Sequence, residues 1–138
     1  MLEGHLQADT AIIGGGMAGL LTAHLLQQAG QTVVVVEANR IANGQTAGTT
    51  AKLTAQHGLK YGYLLREFGA ETAGQYARIN LAAVERLRQL VRDQHIDCDL
   101  EDCTTWLYST SGTSALQEEY NACRSLGMEV PCRRRRYQ

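Results

Sequence analysis

The run Thr10-Ala11-Ile12-Ile13-Gly14-Gly15-Gly16-Met17-Ala18-Gly19 constrains the fold more than any other part of the chain. Asp9 to Ile13 predicts a short buried strand, and Met17, Leu20, Leu21, Leu25 and Leu26 recur at helical spacing until Gly30. The three consecutive glycines therefore fall at a strand-to-helix joint. After Gln31, the run Thr32 to Val36 is β-branched throughout, without polar alternation, the pattern of a parallel strand covered on both faces. The predicted unit is β-α-β.

Within it, Gly14-x-Gly16-x-x-Gly19 has the dinucleotide spacing. Gly14 permits the tight turn, Gly16 lets a pyrophosphate approach the backbone, and Gly19 lets the helix pack closely on the strand. The first helical turn, around Met17 and Ala18, points N–H groups and a positive dipole end at that phosphate. Glu37, ending the second strand, suits a ribose 2′-hydroxyl and would repel a 2′-phosphate. Glycine spacing alone often marks only a tight turn; strand, helix, second strand and acid in register make it an adenine-dinucleotide site.

A nicotinamide-binding domain would continue promptly into a second crossover helix. Here residues 39–58, NRIANGQTAGTTAKLTAQHG, show little periodicity and are rich in Gly, Thr, Ala and Asn. Long ordered loops are usually functional, and Thr46, Thr49, Thr50 and Thr54 can donate to phosphate, ribitol or ring oxygens.

Length and charge narrow the field further. The chain has 138 residues, enough for about one ordinary domain, and a formal net charge of -1, which gives no reason for a nucleic-acid partner. Residues 10–26 are apolar enough to resemble a signal or membrane segment, but they lack a basic leader and carry Gly14, Gly15, Gly16, Gly19, Thr22 and His24. The expectation is a cytoplasmic protein without membrane partners. Cys98, Cys103, Cys123 and Cys132 have no C-x-x-C or metal-ligand spacing and read as reduced thiols; no metal site is expected.

Beyond Tyr61 the pattern is that of scaffold. A helix is predicted over residues 70–94, with Tyr76, Ile79, Asn80, Ala83, Val84, Leu87, Leu90 and Val91 near one face and Arg78, Glu85, Arg86, Arg88 and Arg92 solvated. Residues 97–101 and 104–108 read as two short strands, followed by a helix over 114–126. The acids Asp97, Asp99, Glu101 and Asp102 raise the thought of a metal, but alternation on an exposed strand face explains them more simply. The final CRRRRYQ reads as a disordered tail or the out-of-frame end of a truncated gene, with a nucleic-acid or membrane patch as the alternative.

The stretch DTAIIGGGMAGLLTAHLLQQAGQTVVVVEANRIANGQTAGTTAKLTAQHGLKY resembles the amino-terminal part of the FAD-dependent oxidoreductases related to D-amino acid oxidase and glycine oxidase. It is most similar to the deaminating glycine/D-amino acid oxidase-like subgroup, some of which carry a Rieske iron–sulfur domain further along. The glycine motif with Glu37 is common to many flavoproteins; GQTAGTTAKLTAQHGLKY is the more specific part. The resemblance implies FAD as cofactor and an amine or amino acid as substrate. Gly14, Gly16 and Gly19, with the N–H groups near Met17 and Ala18, would line the pyrophosphate. Glu37 would take the ribose, and Ala38, Asn39 and Arg40 would border the adenosine. Gly48, Thr49, Thr50 and Lys52 would run back towards the flavin, although Lys52 reads equally as a solvated loop cation. His57 reads as a loop-surface or packing residue, with catalysis as the alternative, and no substrate-side catalytic residue is recognised.

The expected fold class is α/β: a Rossmann-type βαβ FAD/NAD(P)-binding unit with its ligand-wrapping loop (residues 1–60), then a long helix and the start of an α+β substrate domain (61–130), then the basic tail (131–138). The resemblance covers about residues 8–130 and only the first part of a family enzyme. The expectation is a truncated, catalytically incomplete oxidoreductase. The alternative is a non-catalytic dinucleotide-binding or assembly module, a homo-oligomer or one completed by another chain.

Overall fold

A computed structural model describes residues 4–131. The chain divides into two compact units between Lys52 and Leu53.

In the first unit, β1 (Thr10–Ile13) runs parallel to β2 (Val33–Val36), joined by α1 (Met17–Gln28). Thr10 stands opposite Val33 and Ile13 opposite Val36. Both strands start one residue later than the sequence implies, because Asp9 and Thr32 form a clasp below them. The Asp9 carboxylate accepts from the Thr32 N–H at 2.8 Å and from its hydroxyl at 2.7 Å. The Asp9 N–H donates to the same hydroxyl at 3.0 Å. These bonds pin the register at one end and hold the Asp9 carboxyl below its ordinary pKa.

The unit buries little. No residue of α1 is buried, and Ile13 is 92% exposed. The expectation of a β2 covered on both faces is not met among the described residues. Among these residues it pairs with β1 alone, so Val33–Val36 carry more apolar surface than α1 and β1 cover.

The second unit contains α2 (Tyr61–Asp93) and α3 (Ser114–Ser125). Ala55, Tyr61, Ala77, Ala122, Cys123 and Met128 form its core. Small residues on α2 let α3 approach, while Tyr61 fills the centre and donates its hydroxyl to the Ala55 carbonyl at 2.6 Å. Burial pushes the Tyr61 phenol up to about 12 and the Cys123 thiol up to about 11. The helices predicted over 70–94 and 114–126 are present, but α2 begins at Tyr61 and breaks at Gly69, whose φ of 78° and ψ of 171° only glycine adopts readily.

The early start of α2 has a cause remote in sequence. Glu119 of α3 is 4% exposed. Its Oε1 accepts from the N–H groups of Lys60 (3.1 Å) and Tyr61 (2.9 Å) and from the Gln56 amide (2.9 Å), and its Oε2 from the Gly62 N–H (2.8 Å). A neighbouring helix thus supplies the cap that the residues before Tyr61 lack.

The two strands predicted at 97–101 and 104–108 do not form. Both stretches are exposed and irregular, and neither pairs with a strand among the described residues. His95 and Asp99, each at φ 50°, break the extended run, so the acidic alternation arises without a pleat. Asp102 instead pairs with Arg88. The second unit is therefore helical among the described residues, not α+β. The basic tail from Cys132 onward lies outside the described residues. No described helix is long and apolar enough to cross a membrane.

Candidate functional site

The joint between β1 and α1 uses its motif glycines for different reasons. The Gly14 N–H donates to the Val36 carbonyl at 2.8 Å, extending the ladder past β1, and the chain then turns at φ 105°, where a side chain would be strained. At Gly19 a Cβ would stand 2.0 Å from the Gly14 carbonyl oxygen, so only hydrogen lets α1 lie against the turn. Gly16 differs from both. Its φ of -80° and ψ of -178° suit any residue, and a Cβ there would meet only the Thr46 hydroxyl at 3.6 Å. Backbone conformation explains Gly14 and packing explains Gly19; neither applies at Gly16, which leaves open space beside the head of a helix.

Glu37 reaches this turn directly. Its Oε2 accepts from the Gly15 N–H at 2.7 Å and its Oε1 from the Asn39 N–H at 2.9 Å. These donors, Gly15 first, hold the carboxyl below its ordinary value of 4.5. A carboxylate has about four acceptor positions, so both oxygens keep capacity for a ribose hydroxyl.

The loop after β2 folds back on the same turn. The Ala42 N–H donates to the Gly15 carbonyl at 2.8 Å, and the Met17 N–H at the head of α1 donates to the Thr46 hydroxyl at 3.2 Å. Arg40, Ile41, Ala42, Asn43 and Ala47 line an open hollow of about 310 Å³. The structure therefore gathers Gly14, Gly16, Met17, Gly19 and Glu37 at one turn, with Asn39 joined through Glu37. Ala18 is exposed in the first turn of α1, Ala38 is exposed beside Glu37, and Arg40 borders the hollow.

Gly48, Thr49, Thr50 and Lys52 are not brought there. Gly48 bonds back to the Gly44 carbonyl at 3.1 Å, and the Thr49 hydroxyl donates to the Thr46 carbonyl at 3.2 Å. Thr50 and Lys52 are exposed, and among the described residues no hydrogen bond ties these four to the glycine turn. His57 belongs to the second unit. Its Nε2 lies 3.0 Å from the Thr54 carbonyl, which can only accept, so Nε2 donates there, and Nδ1 lies 3.0 Å from the Tyr76 hydroxyl. Sequence reasoning missed Gly15 and Ala42. A third glycine where the motif demands none was the available signal for Gly15; Ala42 carried none.

The family model described as FAD dependent oxidoreductase, DAO, matches residues 9–136. The chain is 39% identical over 131 residues to a protein of Bacillus subtilis (strain 168) provisionally named Rieske 2Fe-2S iron-sulfur protein YhfW, covering 93% of this chain and 26% of that protein. It is 30% identical over 98 residues to gamma-glutamylputrescine oxidoreductase of Escherichia coli (strain K12), covering 71% of this chain and 23% of that enzyme. It thus spans about a quarter of the length of these curated relatives. No solved structure matches it significantly. With its β-α-β unit and glycine turn inside the matched region, the chain belongs to the DAO family of FAD-dependent oxidoreductases.

Proposed function

We propose that this chain carries the adenine-dinucleotide end of an FAD site, within a Rossmann-type fold, in an oxidoreductase acting on an amine or amino acid. The observation that carries the reading is the open space at Gly16 beside the head of α1, with Glu37 held at the same turn. The FAD pyrophosphate fits there because a Cβ would meet nothing of the backbone, and the first-turn N–H groups have no intrahelical partners. Glu37 offers its unused acceptor positions to the ribose, Ala38, Asn39 and Arg40 border the adenosine, and the hydroxyls of Thr46, Thr49 and Thr50 are the loop's donors. Gly48 and Lys52 lie on the stretch that leads towards the flavin.

Bound flavin supplies the hydride acceptor. The residues of this chain bind and orient; none is assigned a proton transfer. The amine preference is supported by the relative named for gamma-glutamylputrescine oxidoreduction. On this reading the 138 residues by themselves are catalytically incomplete. Hydride transfer needs substrate and ring held together in a water-poor pocket, and no residue of this chain is assigned to the substrate.

A second reading has its own support: a non-catalytic dinucleotide-binding module that is completed by another copy or another chain. Its observation is the bare sheet, with Ile13 92% exposed and no residue of α1 buried. An absorption spectrum of the purified chain, with mass analysis of any released nucleotide, separates the two. A flavin band and released FAD support the first. A colourless chain that self-associates and takes up no added FAD refutes it.

A further inference from the structure

Among the described residues of the first unit, Gly15 is the one that is buried. The dinucleotide spacing leaves this position unspecified, yet the end of β2 and the loop after it both converge on it. Its N–H donates to Glu37 Oε2 at 2.7 Å, and its carbonyl accepts from the Ala42 N–H at 2.8 Å. A Cβ would stand 3.2 Å from the Glu37 Cβ and 3.3 Å from the Ile41 Cγ1, closer than side chains normally sit. Its φ lies outside the left-handed region that Gly14 occupies, so backbone freedom does not explain the glycine. Clearance does: the missing side chain lets the end of β2 and the loop behind it close onto the turn.

We propose that Gly15 is a positioning residue that fixes the Glu37 carboxylate, together with the segment to Ala42, for a ribose 2′-hydroxyl before any ligand arrives. The inference rests on the dinucleotide reading above and goes beyond it, by placing the preference for a free ribose hydroxyl partly outside the motif. Glutamate is among the side chains with most rotamer freedom. A carboxylate already held by the Gly15 and Asn39 N–H groups loses little of that freedom on binding, so its bond to the hydroxyl appears as selectivity. Any side chain at position 15 pushes the Glu37 Cβ outward and lengthens the bond that orients the carboxylate.

The test measures dissociation constants of ADP and 2′-deoxy-ADP for the full chain by calorimetry, in the wild type, Gly15→Ala, Gly15→Val, Glu37→Ala and the double variant Gly15→Val/Glu37→Ala. The wild type is expected to prefer ADP by about tenfold, the scale of one charge-assisted hydrogen bond. Gly15→Val should cut that preference below about twofold while 2′-deoxy-ADP binds nearly as before. Gly15→Ala, which asks its neighbours to give only a few tenths of an ångström, should fall between, and it decides the question if the valine variant does not fold. A Gly15 variant that keeps the wild-type preference overturns the proposal, as does a further loss of preference on the Glu37→Ala background. A wild type that binds both nucleotides equally overturns this inference and leaves the pyrophosphate site at Gly16 standing, whereas a wild type that binds neither removes the dinucleotide reading and this inference with it.

Discussion

The same substitution made at two glycines three positions apart should give opposite results. At Gly19 an alanine Cβ would lie 2.0 Å from the Gly14 carbonyl oxygen. That is about 1.4 Å short of ordinary contact, and the obstacle is backbone, which cannot rotate away. The helix must lift or the turn must open, at about 3 kcal/mol, the upper part of the overpacking range. A unit whose helix has no buried residue has little packing in reserve to absorb this. At Gly16 the Cβ meets only the Thr46 hydroxyl at 3.6 Å, and φ and ψ are ordinary. Stability there should change by less than about 0.5 kcal/mol, whereas the Cβ enters the space assigned to the pyrophosphate and should weaken ADP binding by more than about tenfold. Hydrogen exchange of peptides from residues 10–36 reads the first unit without interference from the second, and calorimetry reads the affinity. Faster exchange in Gly16→Ala, or unchanged exchange in Gly19→Ala, would refute the division of labour among these glycines.

Glu37 should titrate below 4.5, since its pKa is lowered chiefly by the Gly15 N–H. A depressed carboxylate contributes stability that is present above its unfolded pKa and lost as pH falls through the folded value, so the first unit should loosen only below about pH 4.5; a carboxyl carbon NMR midpoint at or above 4.5 contradicts this. Gly69→Ala should destabilise the second unit by about 1–3 kcal/mol, because φ 78° with ψ 171° is strained for any side chain; an unshifted urea midpoint would show that the helix does not break there. Glu119→Gln should cost about 2 kcal/mol by leaving buried N–H donors short of acceptors, seen as faster exchange at the start of α2, and unchanged exchange would count against the cap. Supplied with FAD and a panel of D- and L-amino acids and glycine, the chain alone should neither release peroxide nor bleach flavin without oxygen; stoichiometric bleaching would show that these residues suffice for the chemistry.

What could be read from the sequence was what local pattern determines. The strand, glycine turn, helix and valine strand of the first unit announce themselves because each is specified within a few residues. The turn chemistry at Gly14 and the close approach at Gly19 follow from spacing alone. The strands predicted at 97–101 and 104–108 failed because alternation is only a permission to pleat, and no partner strand stands there among the described residues to use it. The start of α2 at Tyr61 was hidden because its cap, Glu119, lies 58 residues away. Gly15 was overlooked because the motif counts only the glycines on either side of it, while its neighbours Glu37, Ile41 and Ala42 are supplied by the next strand and loop.

Two of the described helix heads, those of α1 and α2, can be compared on equal terms, and the contrast argues for where a phosphate goes. Both α1 and α2 present first-turn N–H groups and the positive end of a dipole. At α2 the Glu119 carboxylate, 4% exposed, accepts from the N–H groups of Lys60, Tyr61 and Gly62. A fixed internal anion already satisfies that head, and a second anion would meet like charge. At α1 the partner is a neutral hydroxyl, Thr46, which holds only the Met17 N–H, at 3.2 Å. A charged oxygen makes the stronger bond to the same donor, and the released hydroxyl can then donate to that oxygen. The head that the protein closes with its own carboxylate serves the scaffold, and the head left with an exchangeable partner beside the open face of Gly16 is the one suited to a ligand.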